Sequence, residues 1–505
     1  MTNMIPSLRR LLPLLVLFVA ATALRAAPRN IVFILVDDMR YDVMGFLGHP
    51  FIETPNIDSL ARNGAYLQNA VVTTSLCSPS RASMLTGLYA HNHGVIDNNH
   101  PVRDDLVFFP QLLQRAGYRT GFFGKWHMGA GGGDAGPQRG FDRWVSFPNQ
   151  GEYWADHRGT PDANSSRPLE HFNVDGKQVP QRGYITDELT DYAVDWMKSI
   201  PKDQPFFVYL SHKAVHSPFV PADRYAGRYK DKAIPVPESR DHHEHAPMWA
   251  QNQRNSWHGV DYPYHTDLNI ENYYRAYCET LLAVDDSVGR VIAELKERGQ
   301  LDNTLVVFAG DNGFAFGEHG HIDKRTAYEV SMRIPLLMQC PAVIKPGTIV
   351  KQVVANIDFA PTFLQAAGVK ETMRNIDGHG FWPIMKGEKM PWNNEVLYEY
   401  FWERNFPQTP TLHAVRDGRY KYIRVQGLWD IDEFYDLAND PGETKNLFFE
   451  PQYQDLIKSY NKKLFALLAA SHGDSMPLRA DDYWTKNLRR ASGSPEAKFP
   501  DELKR

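Results

Sequence analysis

The chain has 505 residues, of which 43% are hydrophobic, 12% aromatic and 23% charged, and its formal net charge is −5. That is enough chain for one large core or a core with a smaller domain, and the aromatic content excludes an intrinsically disordered protein. The acidic balance excludes a nucleic-acid binder by bulk electrostatics, so an anionic ligand must meet a local cluster of bases.

In chain order, residues 1–26 read as a signal peptide. Arg9 and Arg10 make a positive start, an apolar run extends from Leu11 to Leu24, and the small residues Ala26 and Ala27 follow. The run is shorter than the roughly 20 apolar residues that span a bilayer. The expectation is therefore a cleaved leader, a periplasmic or secreted protein and no stable membrane anchor. Losing Arg9, Arg10 and Arg25 takes the formal charge from −5 to −8.

Short apolar runs of strand character follow at Ile31–Val36, Thr120–Phe123, Phe206–Leu210, Thr304–Ala309 and Ile334–Met338. Helical patterns lie between and after them, at 56–63, 106–116, 185–199, 271–298 and 359–367. Strands alternating with helices predict an α/β domain over 27–388, a large mostly parallel or mixed sheet flanked by helices. From about residue 390 the texture becomes aromatic and β-branched. Glu395–Tyr400, His413–Val415, Arg419–Val425 and Glu433–Leu437 predict a small antiparallel sheet with a turn at Asp417-Gly418, closed by a helix around Tyr453–Ala470. This subdomain is expected over 389–475, with a polar tail over 476–505.

Only three cysteines occur, Cys77, Cys278 and Cys340. An exported chain stapled by disulfides carries more, in even number. Cys278 and Cys340, in a helix and at a strand end, read as buried small hydrophobes. Cys77 is the exception, because of its neighbours.

The predicted strands run directly into polar clusters. Ile31–Val36 leads to Asp37-Asp38, and Thr304–Ala309 leads to Asp311-Asn312. Thr120–Phe123 leads to Lys125 and His127, and Phe206–Leu210 to His216. Ligands of open α/β sheets bind beyond the carboxyl ends of strands. Two acidic clusters facing two basic ones there describe a metal site beside an anion site. The four metal-site side chains offer only oxygen, which selects a hard cation, Ca²⁺ with Mg²⁺ as the alternative. Cys77 itself sits just before a predicted helix that Pro79 opens and Gly87 ends, where free N–H groups favour an anion and Arg81 adds a fork of donors. A second histidine-rich stretch, Asp241-His-His-Glu-His245, has neither strand nor helix pattern and reads as a solvated loop.

The segment Cys77-Ser-Pro-Ser-Arg-Ala-Ser-Met-Leu-Thr-Gly87 matches the sulfatase signature at every fixed position. Asn30–Asp38, Gly124–Gly129, Lys213–Pro218, Gly310–Gly313, Lys324 within Asp323–Glu329, and Phe434–Pro441 match further stretches in order. The chain thus resembles the type I, formylglycine-dependent sulfatases of the alkaline phosphatase superfamily over residues 29–447. That resemblance implies an alkaline-phosphatase-like fold, oxidation of Cys77 to formylglycine by a maturation enzyme, and a sulfate ester as substrate. By the same resemblance the hydrated residue 77 binds the cation with Asp37, Asp38, Asp311 and Asn312. Arg81, Lys125 and Lys324 hold the sulfate, His216 protonates the leaving alcohol, and His127 is the base that releases sulfate.

The stretch Phe147–Trp154 and Gly317–Gly320 are similar to the N-acetylglucosamine-6-sulfatase-like branch, which implies a sulfated saccharide and polysaccharide degradation. Trp154, His157, His319, Trp402 and Arg404 are the candidate sugar contacts. Two rival readings stay open at this point: a phosphonate or phosphate monoester hydrolase of the same superfamily, and a non-catalytic sulfated-glycan binder with Cys77 unmodified.

Overall fold

In the computed structural model, residues 29–129, 136–159, 170–261, 268–427, 429–476 and 497–504 are described. The expected signal peptide and most of the polar tail lie outside them. Among the described residues no helix is long and apolar enough to cross a membrane.

A ten-stranded sheet organises the chain. Its strands are β1 (Asn30–Val36), β2 (Ala65–Val71), β3 (Arg119–Lys125), β4 (Arg143–Phe147), β5 (His171–Val174), β6 (Lys177–Pro180), β7 (Phe206–His212), β8 (Thr304–Gly310), β9 (Leu336–Gln339) and β10 (Thr348–Ala355). They lie in the order β10-β2-β9-β8-β1-β7-β3-β4-β5-β6. The centre, β8-β1-β7-β3-β4, is parallel. The apolar run before Cys340 forms β9, which pairs antiparallel with both β2 and β8 and makes the sheet mixed.

Every residue of β1, β7 and β8 is buried, because helices cover both faces. Alternate side chains of β1 enter different cores. Val32, Ile34 and Val36 pack with the helices Pro55–Asn63, Ile185–Ser199 and Ile270–Glu297. Ile31, Phe33 and Leu35 pack with Cys77–Thr86, Phe109–Arg115 and Phe359–Ala366. Cys278 belongs to the first core and Cys340 to the second, and all three cysteines are free thiols.

A second sheet joins β11 (Val396–Tyr400), β12 (Thr411–Arg416), β13 (Tyr420–Gln426) and β14 (Glu433–Asp436), all antiparallel. Asp417 Oδ1 accepts from the backbone N–H of Arg419 and Tyr420 and so fixes the β12–β13 turn. One face of this sheet packs on the helix Gln454–Ala470 through Val415, Phe434 and Leu464. The other packs Tyr398, Tyr400 and Tyr435 on Leu76, Tyr328 and Met332. The small sheet therefore braces two segments that carry site residues, the start of the Cys77 helix and the loop after Lys324.

Candidate active site

The parallel strands deliver their polar ends to one edge of the sheet. Asp37 and Asp38 leave β1, Asp311 and Asn312 leave β8, Lys125 ends β3, and His216 follows β7 by four residues. Parallel register sets these ends level: Val36 pairs with both His212 and Gly310. Close approach of β3 to β7 requires Gly124, whose φ is +124° and where a Cβ would meet Ser211 O at 1.8 Å. Asp38 and His127 also hold left-handed backbone, at φ 56° and 52°, which turns the chain sharply as it leaves each strand.

Cys77 opens the fully buried helix Cys77–Thr86. Its sulfur lies 3.4 Å from Asp37 Oδ1, 3.0 Å from Lys324 Nζ and 3.8 Å from Lys125 Nζ. Burial, and then the Asp37 carboxylate, push the thiol up to about 12. Arg81, one turn on, grips Asp311 Oδ2 through Nε at 2.9 Å and Nη2 at 2.8 Å, and donates to Lys125 O and Ser211 Oγ at 2.7 Å each. Lys125 pairs with Asp37, and Lys324 Nζ reaches Asp38 Oδ1 at 2.5 Å.

Asp37, Asp38 and Asp311 each offer an oxygen within 4.8 Å of the others, and all three are buried. Burial raises Asp38, and burial with the neighbouring Asp37 pushes Asp311 up to about 7. Burial opposes ionisation of Asp37 too, but Lys125, His216 and Arg81 hold it well below the carboxylate range. Asn312 Nδ2 donates to Asp38 Oδ1 at 2.7 Å, while its Oδ1 is buried with no hydrogen-bond partner among the described residues. Three crowded carboxylates and an orphaned amide oxygen form a donor set that fits a hard divalent cation. Cys77 and His216 also lie within ligand distance of Asp37.

Both expected histidines flank this centre. Gln150 Nε2 donates to His127 Nε2 at 2.9 Å, and His127 Nδ1 is buried without a hydrogen-bond partner among the described residues. His216 Nδ1 donates to Ser217 O at 2.6 Å, and its Nε2 stands 3.9 Å from Asp38 Oδ2. Burial, reinforced by Lys125, drives both imidazoles well below their usual pKa and keeps them neutral.

The centre opens into a cavity of about 850 Å³ that Asp38, His127, His216 and Lys324 line. Of its remaining walls, Asn149, Gln150, Ser217, Asp323 and Arg325 fall within stretches the sequence reading singled out, whereas Asn98, Trp257, His258, Glu403 and Phe406 were not selected. None of the five expected sugar contacts lines it. Trp154 lies beneath Arg158 and against Tyr184. His157 is buried beside Glu152 and Glu170. His319 stacks on Tyr328 at 3.8 Å and bonds His243, the one residue of the 241–245 stretch that turns inward, at 3.2 Å. Trp402 bonds Pro407 O outside the cavity, and Arg404 stands between the lining residues Glu403 and Asn405 without lining it. Trp154 and His319 stood in stretches similar to the saccharide-sulfatase branch and the other three were aromatic or charged residues near motifs, and neither signal carries information on which way a side chain faces.

The family model "Sulfatase" matches residues 29–369, and the model "N-sulphoglucosamine sulphohydrolase, C-terminal" matches 317–470. An N-acetylglucosamine-6-O-sulfatase of Bacteroides thetaiotaomicron is 32% identical over 493 residues, covering 84% of this chain and 83% of the relative. The human N-acetylglucosamine-6-sulfatase is 28% identical, covering 88% and 85%. A solved structure of a protein with its substrate D-glucosamine-2-N,6-O-disulfate superposes at a TM-score of 0.78, with 29% identity over 88% of this chain and 98% of that one. The chain belongs to the sulfatase family of the alkaline phosphatase superfamily and is a sulfuric ester hydrolase.

Proposed function

We propose that the chain removes a sulfate ester from a glucosamine-type residue of a sulfated carbohydrate, using a nucleophile made from Cys77. The observation that carries this reading is the placement of Cys77 Sγ, buried between Lys324, Lys125 and the Asp37 carboxylate at a helix start. Oxidation of Cys77 to formylglycine by a maturation enzyme would supply an oxygen nucleophile there, and a Ca²⁺ or Mg²⁺ held by Asp37, Asp38, Asp311 and Asn312 would lower its pKa.

The chain's own groups divide the remaining work. Lys125 and Lys324 converge on the position of the Cys77 sulfur, Arg81 adds its charge from beside Asp311, and together they offset the negative charge that a sulfate ester brings and develops. His216 Nε2 faces the cavity beside Asp38, where it hands a proton to the departing sugar oxygen. His127, kept neutral by burial, is the base on the nucleophile's side: Gln150 Nε2 donates to its Nε2 and so fixes the lone pair there, which takes the proton once that hydrogen bond is given up. The named substrates of the relatives and the amide-lined wall at Asn98, Asn99 and Asn149 support a sugar bearing hydroxyls. The leader over residues 1–26 supports export to the periplasm or medium, where such polymers are met.

The test is the mass of the peptide containing Cys77, from protein made in a host that matures other sulfatases. A loss of about 18 Da marks the aldehyde. An intact thiol in that host overturns the reading.

A further inference from the structure

One wall of the cavity holds a stack of flat groups that the chemistry above does not use. Arg325 follows Lys324 in sequence, and its guanidinium is fixed by Asp323 Oδ1 and Glu403 Oε1, each at 2.8 Å. It lies over the Phe406 ring, 3.3 Å from the centroid. Phe406 in turn stacks on Trp257, with centroids 5.5 Å apart and planes 22° apart. Arg325 is buried and Phe406 half-buried, whereas Trp257 is 47% exposed although it lines the same cavity as Asp38 and Lys324.

A broad indole at the outer end of a stack whose inner members are fixed is a rigid apolar surface with little conformational entropy to lose on binding. A pyranose ring has an apolar C–H face that covers such a surface and a rim of hydroxyls that needs polar partners. The same cavity supplies those partners in the carboxamides of Asn98, Asn99 and Asn149. The stack runs from Arg325, the neighbour of Lys324 in sequence, through Phe406 to Trp257, so a sugar whose sulfate is held at Lys324 starts at the Arg325 end and leaves the indole to the next ring of the chain.

We propose that Trp257 is the platform for the sugar adjoining the sulfated one, and that the enzyme selects an oligosaccharide over a single sulfated sugar through it. This rests on the carbohydrate reading above and adds the length of the substrate. The test compares kcat/KM for 6-O-sulfo-N-acetylglucosamine, for a trisaccharide that ends in that sugar at its non-reducing end, and for 4-nitrophenyl sulfate. Wild type is expected to favour the trisaccharide over the monosaccharide. In Trp257→Ala the ratio of the two falls about tenfold, and Trp257→Phe keeps most of it. A ratio, unlike a rate, is insensitive to a fraction of misfolded protein. Turnover of both sugars with the same ratio in wild type and Trp257→Ala overturns the platform alone. Turnover of the aryl sulfate with neither sugar overturns the carbohydrate reading and the platform together.

Discussion

Lys324 Nζ lies 3.0 Å from the sulfur of Cys77, 247 residues away in the chain, and the same ammonium reaches Asp38 at 2.5 Å. One cation thus ties the proposed nucleophile position to the carboxylate cluster. Replacing it by an uncharged side chain of similar length, Lys324→Met, removes positive charge where the sulfate is proposed to sit, without removing any carboxylate. The expected result is a fall in kcat/KM of about 10²–10³-fold with bound cation retained. Sulfate release and metal analysis on the same sample check it; an unaltered rate would take Lys324 out of the site.

Asp311 is held from both sides: its Oδ2 accepts from Arg81 Nε at 2.9 Å with Nη2 at ion-pair distance, and its Oδ1 accepts from Asp38 N at 3.0 Å. If it is also a cation ligand, Asp311→Asn should lower metal content below one per chain and lower the rate in parallel. Chelation of the wild type should abolish activity, and added Ca²⁺ or Mg²⁺ should restore it. Full metal content in the purified variant contradicts the assignment.

The legible part of this protein is where chemistry and backbone coincide. Strands buried on both faces are unbroken apolar runs, so β1, β3, β7 and β8 announce themselves, and the first polar residues after them are the ones delivered to the sheet edge. Composition does not encode direction, so β9, with the same apolar character, could not be told to run antiparallel. The strands β2 and β10 mix polar and apolar residues and gave no run to find. The β5–β6 hairpin left one usable mark, Asp175-Gly176, with both residues at positive φ. The outer cavity walls were not legible. Asn98, Trp257 and Glu403 sit on separate loops with no shared period, and only the tertiary fold brings them together.

Away from the active site, His91 joins Glu399 of the small sheet to the end of the helix Gln454–Ala470. Its Nδ1 bonds Glu399 Oε1 at 2.7 Å and its Nε2 bonds Ser471 O at 2.9 Å, so both nitrogens donate and the ring is an imidazolium. Burial opposes that charge, but Glu399 and the Ser471 carbonyl push His91 up to about 9. The folded pKa lies above the unfolded value of about 6.5, so the stabilisation is complete below that pH and is lost as pH rises through about 9. It is on the order of 3 kcal/mol. The melting temperature of wild type should therefore drop between pH 6.5 and 9.5 by more than that of His91→Gln. Equal drops in the two proteins would show that this pair contributes nothing.

His216 offers the sharpest separation of roles, because its proposed partner is the leaving group rather than the sulfate. Ser217 O can only accept, so the proton on the resting imidazole sits on Nδ1 and Nε2 is the nitrogen turned to Asp38 and the cavity. Tyr153 OH donates to His216 O at 2.8 Å and fixes the backbone beneath it. Burial keeps the ring neutral at rest, and an anionic sulfate ester arriving beside it favours the protonated form. A sugar alkoxide is a poor leaving group that must be protonated as it departs, whereas 4-nitrophenolate leaves unaided. His216→Ala should thus lower kcat/KM on the sulfated sugar by about 10²–10⁴-fold, and on 4-nitrophenyl sulfate by less than about tenfold. Equal losses on the two substrates would make His216 a group that binds or positions the sulfate and would move the acid to another residue. The contrast between leaving groups decides this where a single rate could not, since damage to the nucleophile, the cation or the sulfate-binding bases slows both substrates alike.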